Sequence, residues 1–237
     1  MKIYTIGHSN HSIVNFIKLL NRNNITAIAD VRSVPYSRNF EHFNQDSLRK
    51  SLNEECIEYV FLGNNLGARP RDRSCYAGSM ASYNLIAETM NFKIGIDRLI
   101  KGSVKFHISL MCAEQDPIVC HRAILVCQHL KKGGLEIQHI LKDGNLENHN
   151  HLEQRLLKLH GLDKEINNAE SSDEGHDGKQ LSLFDMRTYE GTKSFEPTSK
   201  FKLREELIQK AYKLQGDKIA YVEKDNKQRS KIYERTM

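Results

Sequence analysis

Between Val104 and Leu130 the chain reads VKFHISLMCAEQDPIVCHRAILVCQHL, and one short part of it brings Cys112, Glu114, Cys120, His121 and Arg122 together. A thiol, a carboxylate, an imidazole and a guanidinium are the groups needed for nucleophilic attack, proton transfer and anion binding. Val104 to Cys112 is β-branched, aromatic and apolar, as expected of a strand buried on both faces. Asp116 is suited to cap a helix, Pro117 to its first position, and Lys131-Lys132-Gly133-Gly134 to its end. The reactive residues therefore fall where a strand passes into a helix N-terminus, the place where open α/β sheets bind ligands.

Other elements point to the same rim. Lys2 to Ile6 reads as a strand ending at Gly7-His8-Ser9, with Ser12 capping a helix through Ile13, Phe16, Ile17 and Leu20. Ala27 to Val31 is a second strand, closing on Asp30 and Arg32, and Tyr59 to Leu62 a third. Helices are expected from Gln45 or Asp46, over Ser82 to Ile100 and over 150–160, with a last strand at Glu136 to Leu141. Strands alternating with helices indicate an α/β fold of three layers, a mostly parallel sheet with flanking helices. Its strand ends supply His8, Asp30, Cys112 and Glu114 as candidate catalytic groups, and Ser9, Arg32, Arg69 and Arg122 as candidate substrate-binding groups. Plainer roles compete. Cys112 can be a buried small apolar residue, Asp30 and Arg32 a scaffold pair, and Cys120 and Cys127 packing residues. Arg122 is expected to reach the pocket or pair with Glu114, and His121 and Arg122, as neighbours, not to face the sheet together. Cys112, Cys120 and His121 have none of the usual zinc-ligand spacings and no Cys-x-x-Cys is present, so neither a metal nor another cofactor is expected.

Several spaced motifs carry a resemblance. Tyr4-Thr5-Ile6-Gly7-His8-Ser9, Asp30-Val31-Arg32 with Pro35, Ser37 and Phe40, Leu62-Gly63, Leu66-Gly67, Met111-Cys112-Ala113-Glu114 and Asp116-Pro117 with Cys120-His121-Arg122 occur in this order. Over about the first 160 residues the chain resembles the family called domain of unknown function 488. The resemblance implies the fold and the choice of site and supplies no reaction.

The connection from Gly63 to Gly78 is long, and Arg69, Arg71 and Arg73 alternate in it, so an extended segment would turn them toward one anionic partner. With 39% hydrophobic residues in 237, the chain can bury one full core and keep a remainder. No apolar run approaches the ~20 residues of a membrane span, and the first residues lack a signal-like apolar stretch. Five cysteines at irregular spacing fit reduced thiols. A cytoplasmic protein without membrane partners is expected.

The domain is expected to span 1–162 and to be followed by an acidic linker at 163–179, whose part from Asn167 to Gly178 holds hardly any apolar side chain. Gln180-Leu181-Ser182-Leu183-Phe184 then resembles the short peptide by which bacterial replication and repair proteins dock on the DNA sliding clamp, with Gln180, Leu181, Leu183 and Phe184 as the docking residues. An amphipathic helix at 200–224, expected to pack on the domain, and a basic tail at 225–237 complete the chain. From Lys200 onward eleven Lys or Arg face six Asp or Glu, a balance of +5 that equals the net charge of the whole chain. The leading expectation is an enzyme acting on a nucleobase, nucleotide or phosphodiester in DNA repair or replication, held at the clamp by its peptide. The alternatives are a Cys112-dependent enzyme on a small anionic substrate, phosphatase-like or sulfurtransferase-like, and a nucleic-acid-binding module without catalysis.

Overall fold

A computed structural model describes residues 1–166 and 199–223. In chain order the main elements are β1 Lys2–Gly7, α1 Ile13–Arg22, β2 Ala27–Asp30, α2 Gln45–Glu54, β3 Glu58–Phe61 and α3 Gly63–Leu66. A small hairpin, β4 Tyr76–Ala77 and β5 Met80–Ala81, precedes α4 Tyr83–Glu88, α5 Met90–Gly102 and β6 Ile108–Cys112. After β6 come a 3-10 turn at Pro117–Val119, a π-helical stretch Arg122–Cys127 and α6 Gln128–Lys132. β7 Glu136–Ile140, β8 Leu146–Asn148, α7 His149–Leu159 and α8 Ser199–Ile219 follow.

The main sheet has the order β3-β2-β6-β1-β7-β8. Five strands are parallel and only β8 runs against its neighbour β7. The connection leaving β1 crosses β6 toward β2 through α1 on one face, and the one leaving β6 crosses β1 toward β7 through α6 on the other, so the two part to opposite faces and leave a crevice at the carboxyl ends of β1 and β6.

Alternate strand residues feed opposite faces. Ile6, Ile28 and Met111 pack with Phe16, Leu20, Leu48 and Leu52 of α1 and α2. Ile3, Ala27, Ala29 and Leu110 pack toward α5, α6, α7 and α8 on the other face. The architecture is the α/β fold expected, a mostly parallel sheet between helices.

The differences lie at boundaries. The long helix expected over Ser82 to Ile100 is two, because the Thr89 hydroxyl accepts from the Phe92 amide and starts a new one. β6 begins at Ile108 rather than Val104, since the end of α5 continues in backbone turns through Phe106. Residues 163–166, assigned above to the linker, add a helical turn whose Ile166 packs on the core. The clamp-like residues Gln180, Leu181, Leu183 and Phe184, the rest of the linker and the tail 225–237 lie outside the described residues.

β1 and the turn after β6 are pressed together. The His8 and Ser9 amides donate to the carbonyls of Cys112 (2.8 Å) and Ala113 (2.9 Å). A Cβ on Gly7 would collide with the carbonyl oxygen of Glu114 and crowd Gln115 Cα, both backbone atoms unable to step aside. Gly7→Ala is therefore expected to lower unfolding stability by about 3 kcal/mol or more in urea denaturation; a change below ~1 kcal/mol would show that the turn is free to move.

Candidate active site

Two clusters meet at the crevice. In the first, Asp30 is wholly buried at the end of β2 and receives Arg32 Nε (2.9 Å), Arg32 Nη2 (2.6 Å) and the Tyr59 hydroxyl (2.7 Å). Arg32 Nη2 also donates to the Phe43 carbonyl, and Nη1 faces His8 Nε2 at 3.3 Å. His8 Nδ1 lies 3.1 Å from the Ser9 carbonyl, so the neutral ring carries its proton there and accepts from Arg32 with Nε2. The ring stacks on Phe43, centroids 4.4 Å apart. Burial and then the Arg32 charge lower the His8 pKa from 6.5 to about 4.

The second cluster is built by the turn after β6. Cys112 ends the strand; Asp116 caps the 3-10 turn through the Ile118 amide, and this turn brings Cys120 and His121 back over the strand end. Glu114 Oε2 lies 3.0 Å from Cys112 Sγ and 2.9 Å from Cys120 Sγ. His121 Nδ1 lies 3.7 and 4.0 Å from the same sulfurs, while its Nε2–H donates to the Val31 carbonyl at 3.0 Å. The four ligand atoms of Cys112, Glu114, Cys120 and His121 fall within 4.8 Å of one another. His121 and Arg122 both point inward, contrary to the expectation for neighbours, at the start of a wide π-helical stretch.

The sulfurs differ. The hydrogen bond to Cys120 and burial raise the Cys112 thiol well above its ordinary value. Burial also acts against a Cys120 thiolate, but the bond from Cys112, the Arg122 charge and His121 outweigh it and hold that thiol low. Burial opposes a charged His121 as well, yet Cys120 raises its pKa. Burial, then Cys120, push the Glu114 carboxyl up.

A cavity of about 1020 Å³ opens over both clusters. Its wall includes His8, Ser9, Arg32, Arg69, Cys112, Glu114 and His121, the aromatics Tyr36, Phe40, Tyr83 and Tyr221, and the end of α8 with Ala220 and Val222. Of the residues singled out in the sequence, Asp30 lies behind Arg32 and anchors it. Arg122 reaches neither the cavity nor the Glu114 carboxylate: wholly buried, it donates to the carbonyls of Glu114 (2.7 Å) and Gln115 (3.1 Å) and to Thr5 Oγ1 (3.4 Å). Ser9 stands at the lip with a left-handed φ of 42°. The three loop arginines do not share one partner. Arg69 stacks on Tyr221 at 4.7 Å, Arg71 lines a neighbouring cleft, and Arg73 pairs with Glu223. His121, Cys120 and Tyr221 are the site residues that strand-end reasoning left out. The adjacent Cys-His pair was the signal for the first two, and Tyr221 enters only because α8 packs back.

The model of the family described as Domain of unknown function DUF488 matches residues 12–128. That stretch of the chain is similar to this family. The DUF488 match contains Asp30, Arg32, Cys112, Glu114, Cys120 and His121, whereas His8 and Ser9 stand just ahead of it and α8 beyond it. No curated protein and no solved structure matches the chain.

The His8 shift has a sign that can be tested. Between pH 6.5 and about 4 the unfolded chain binds a proton at this ring that the folded one does not. Its contribution to stability is thus full above pH 6.5 and falls as pH drops, by roughly 3 kcal/mol over the window. NMR of the His8 ring is expected to show a neutral Nδ1–H form titrating near pH 4, and a midpoint at the ordinary value would contradict the arrangement with Arg32.

Proposed function

We propose that the domain is an enzyme that takes a nucleobase, free or within a nucleotide or nucleic-acid strand, into the rim cavity. The observation carrying this reading is that Cys112, Glu114, His8 and His121 converge on one cavity of nucleotide size with flat aromatic walls. Tyr36, Phe40 and Tyr221 offer faces for stacking, and Arg69 over Tyr221 adds a cationic plane near the opening. The charges favour a base over a bare phosphodiester in the floor. Arg32 is bound to Asp30, and Glu114 is an acid that would repel a phosphate. Arg69 is then the group for a nucleotide phosphate. Glu114, with its raised pKa and its exposure to the cavity, is suited to carry a proton, while His8, engaged at both nitrogens, holds a wall.

Thiol chemistry at Cys112 is the second reading, favoured by the place of its sulfur beside the cavity. Against it, the bond to Cys120 and burial raise the Cys112 thiol, which disfavours the nucleophilic thiolate. A binding module acting through Arg69, Arg71 and Arg73 is opposed by their divergence.

The test is a titration with nucleobases, nucleosides, nucleoside monophosphates and short single-stranded DNA, with products followed by mass spectrometry. Monophosphates are expected to bind, Arg69→Ala to weaken them about tenfold, and Glu114→Gln to keep binding while losing turnover. Failure of every such ligand to bind below millimolar would sink the reading. Tethering to the clamp rests on the sequence of 180–184 alone. It predicts micromolar binding of the full chain to a bacterial sliding clamp, abolished by the Leu183→Ala, Phe184→Ala double variant, and an unaffected double variant would retire it.

A further inference from the structure

We propose that Cys112, Cys120 and His121, completed by Glu114 on the cavity side, bind one zinc-class divalent ion. The inference concerns the same cavity as the proposed enzyme, and stands on geometry that needs no substrate. Sequence spacing argued against a metal because Cys112 and the Cys120-His121 pair are separated by an irregular segment. The 3-10 turn at Pro117–Val119 folds that segment back and brings the four ligand atoms within 4.8 Å.

The separations suit a tetrahedral ion. With zinc–sulfur bonds of about 2.3 Å and zinc–nitrogen bonds of about 2.0 Å, the sulfur-to-nitrogen edge of the tetrahedron is about 3.6 Å. Here those edges are 3.7 and 4.0 Å. The sulfur-to-carboxylate distances, 3.0 and 2.9 Å, are shorter than such an edge, so Glu114 would retreat slightly toward the cavity on metal uptake. It lies on the exposed side and is able to do so.

Three features outside the ligand atoms point the same way. His121 is fixed by Nε2–H on the Val31 carbonyl, leaving Nδ1 aimed at the sulfurs, as in metal-bound histidines whose far nitrogen donates to a carbonyl. The Arg122 amide lies 3.5 Å from Cys120 Sγ and points a donor at it. The Arg122 side chain is wholly buried and its guanidinium donates to three neutral oxygens. Two thiolates, one carboxylate, this guanidinium and a divalent ion sum to zero charge, which a buried site requires. Two sulfurs and an imidazole select zinc-class ions over magnesium or calcium. With four protein ligands the ion would be closed to substrate, and only displacement of Glu114 into the cavity would open a position on it and free that carboxylate to carry a proton.

The experiment measures metal in the full chain purified without chelator, then strips the protein and titrates it with Zn(II) and Co(II). About one zinc per chain is expected, or its uptake at micromolar or tighter affinity. The cobalt form is expected to show a sulfur-to-cobalt charge-transfer band and intense tetrahedral d–d bands. Glu114→Gln, which removes no buried group, should weaken uptake tenfold or more while keeping the sulfur band. Cys120→Ser should diminish that band, and where this variant fails to fold the wild-type titration decides. A folded wild-type chain that takes up neither ion, or binds cobalt without a sulfur band, overturns the proposal. Metal uptake is read without substrate, so zinc without nucleotide binding would retire only the nucleobase reading, and nucleotide binding without zinc only the metal site.

Discussion

The Arg122 guanidinium, without exposed surface, holds the turn after β6 in place, and the rim depends on that hold. A loop that carries a carboxylate near solvent would ordinarily be mobile. Here its carbonyls at Glu114 and Gln115 are bound from beneath by a charge that has no other place to go. The bare Gly7 backbone presses on the same turn, and the His8 and Ser9 amides reach across to it. Three independent restraints thus set where Cys112 and Glu114 stand relative to His8.

The opposite wall is held from far along the chain. Thr5 Oγ1, His139, His149, the Tyr212 hydroxyl and Glu153 form a continuous buried chain of contacts that ends at Lys131, each between 2.6 and 3.1 Å. Burial keeps both histidines neutral, lowering His149 to about 3 and His139 well below its ordinary value. Neutral rings relay donor and acceptor along the line and need no counter-charge. This chain joins the middle of the sheet to α8, Gln215 adds a bond to the Ile118 carbonyl, and the segment after α8 then pairs with β5, the Ala81 amide donating to the Tyr221 carbonyl. The cavity is thereby complete only with residues that lie beyond 167–198 in sequence.

The parts of this arrangement differ in how openly the sequence announces them. Strand runs such as Ala27 to Asp30 and caps such as Ser12 act locally, so the α/β order, the shared rim and the packing helix at the C-terminus could be read from residue pattern. The Asp30–Arg32 pair was legible for the same reason, two residues apart at a strand end. The crowding of Cys112, Glu114, Cys120 and His121 after a strand was legible too, but which of these side chains converge was not, because a 3-10 turn and a π-helical stretch have no periodicity to reveal it. The helix break at Thr89 is a case of a strong cap inside an otherwise continuous apolar pattern. Arg122 looked like a substrate ligand by its place near a helix start. Its burial is decided by long-range contact with Thr5, which local pattern does not encode.

Two charge systems end at the cavity, and each is closed on itself. Asp30 answers Arg32, with the Tyr59 hydroxyl on the same carboxylate. Arg122 is bound by three neutral oxygens, and with the proposed ion its charge would balance the full set of ligands. A floor built from two balanced systems exerts little net field on a ligand, so discrimination falls to shape, stacking and the pattern of donors and acceptors that Glu114, Ser9 and the aromatic walls present. Small phosphates, which are recognised chiefly by charge, would gain little there. A planar heterocycle, whose edge carries donors and acceptors and whose face stacks, would gain from every wall. The same balance explains how so many ionisable groups coexist at one buried rim without driving it apart.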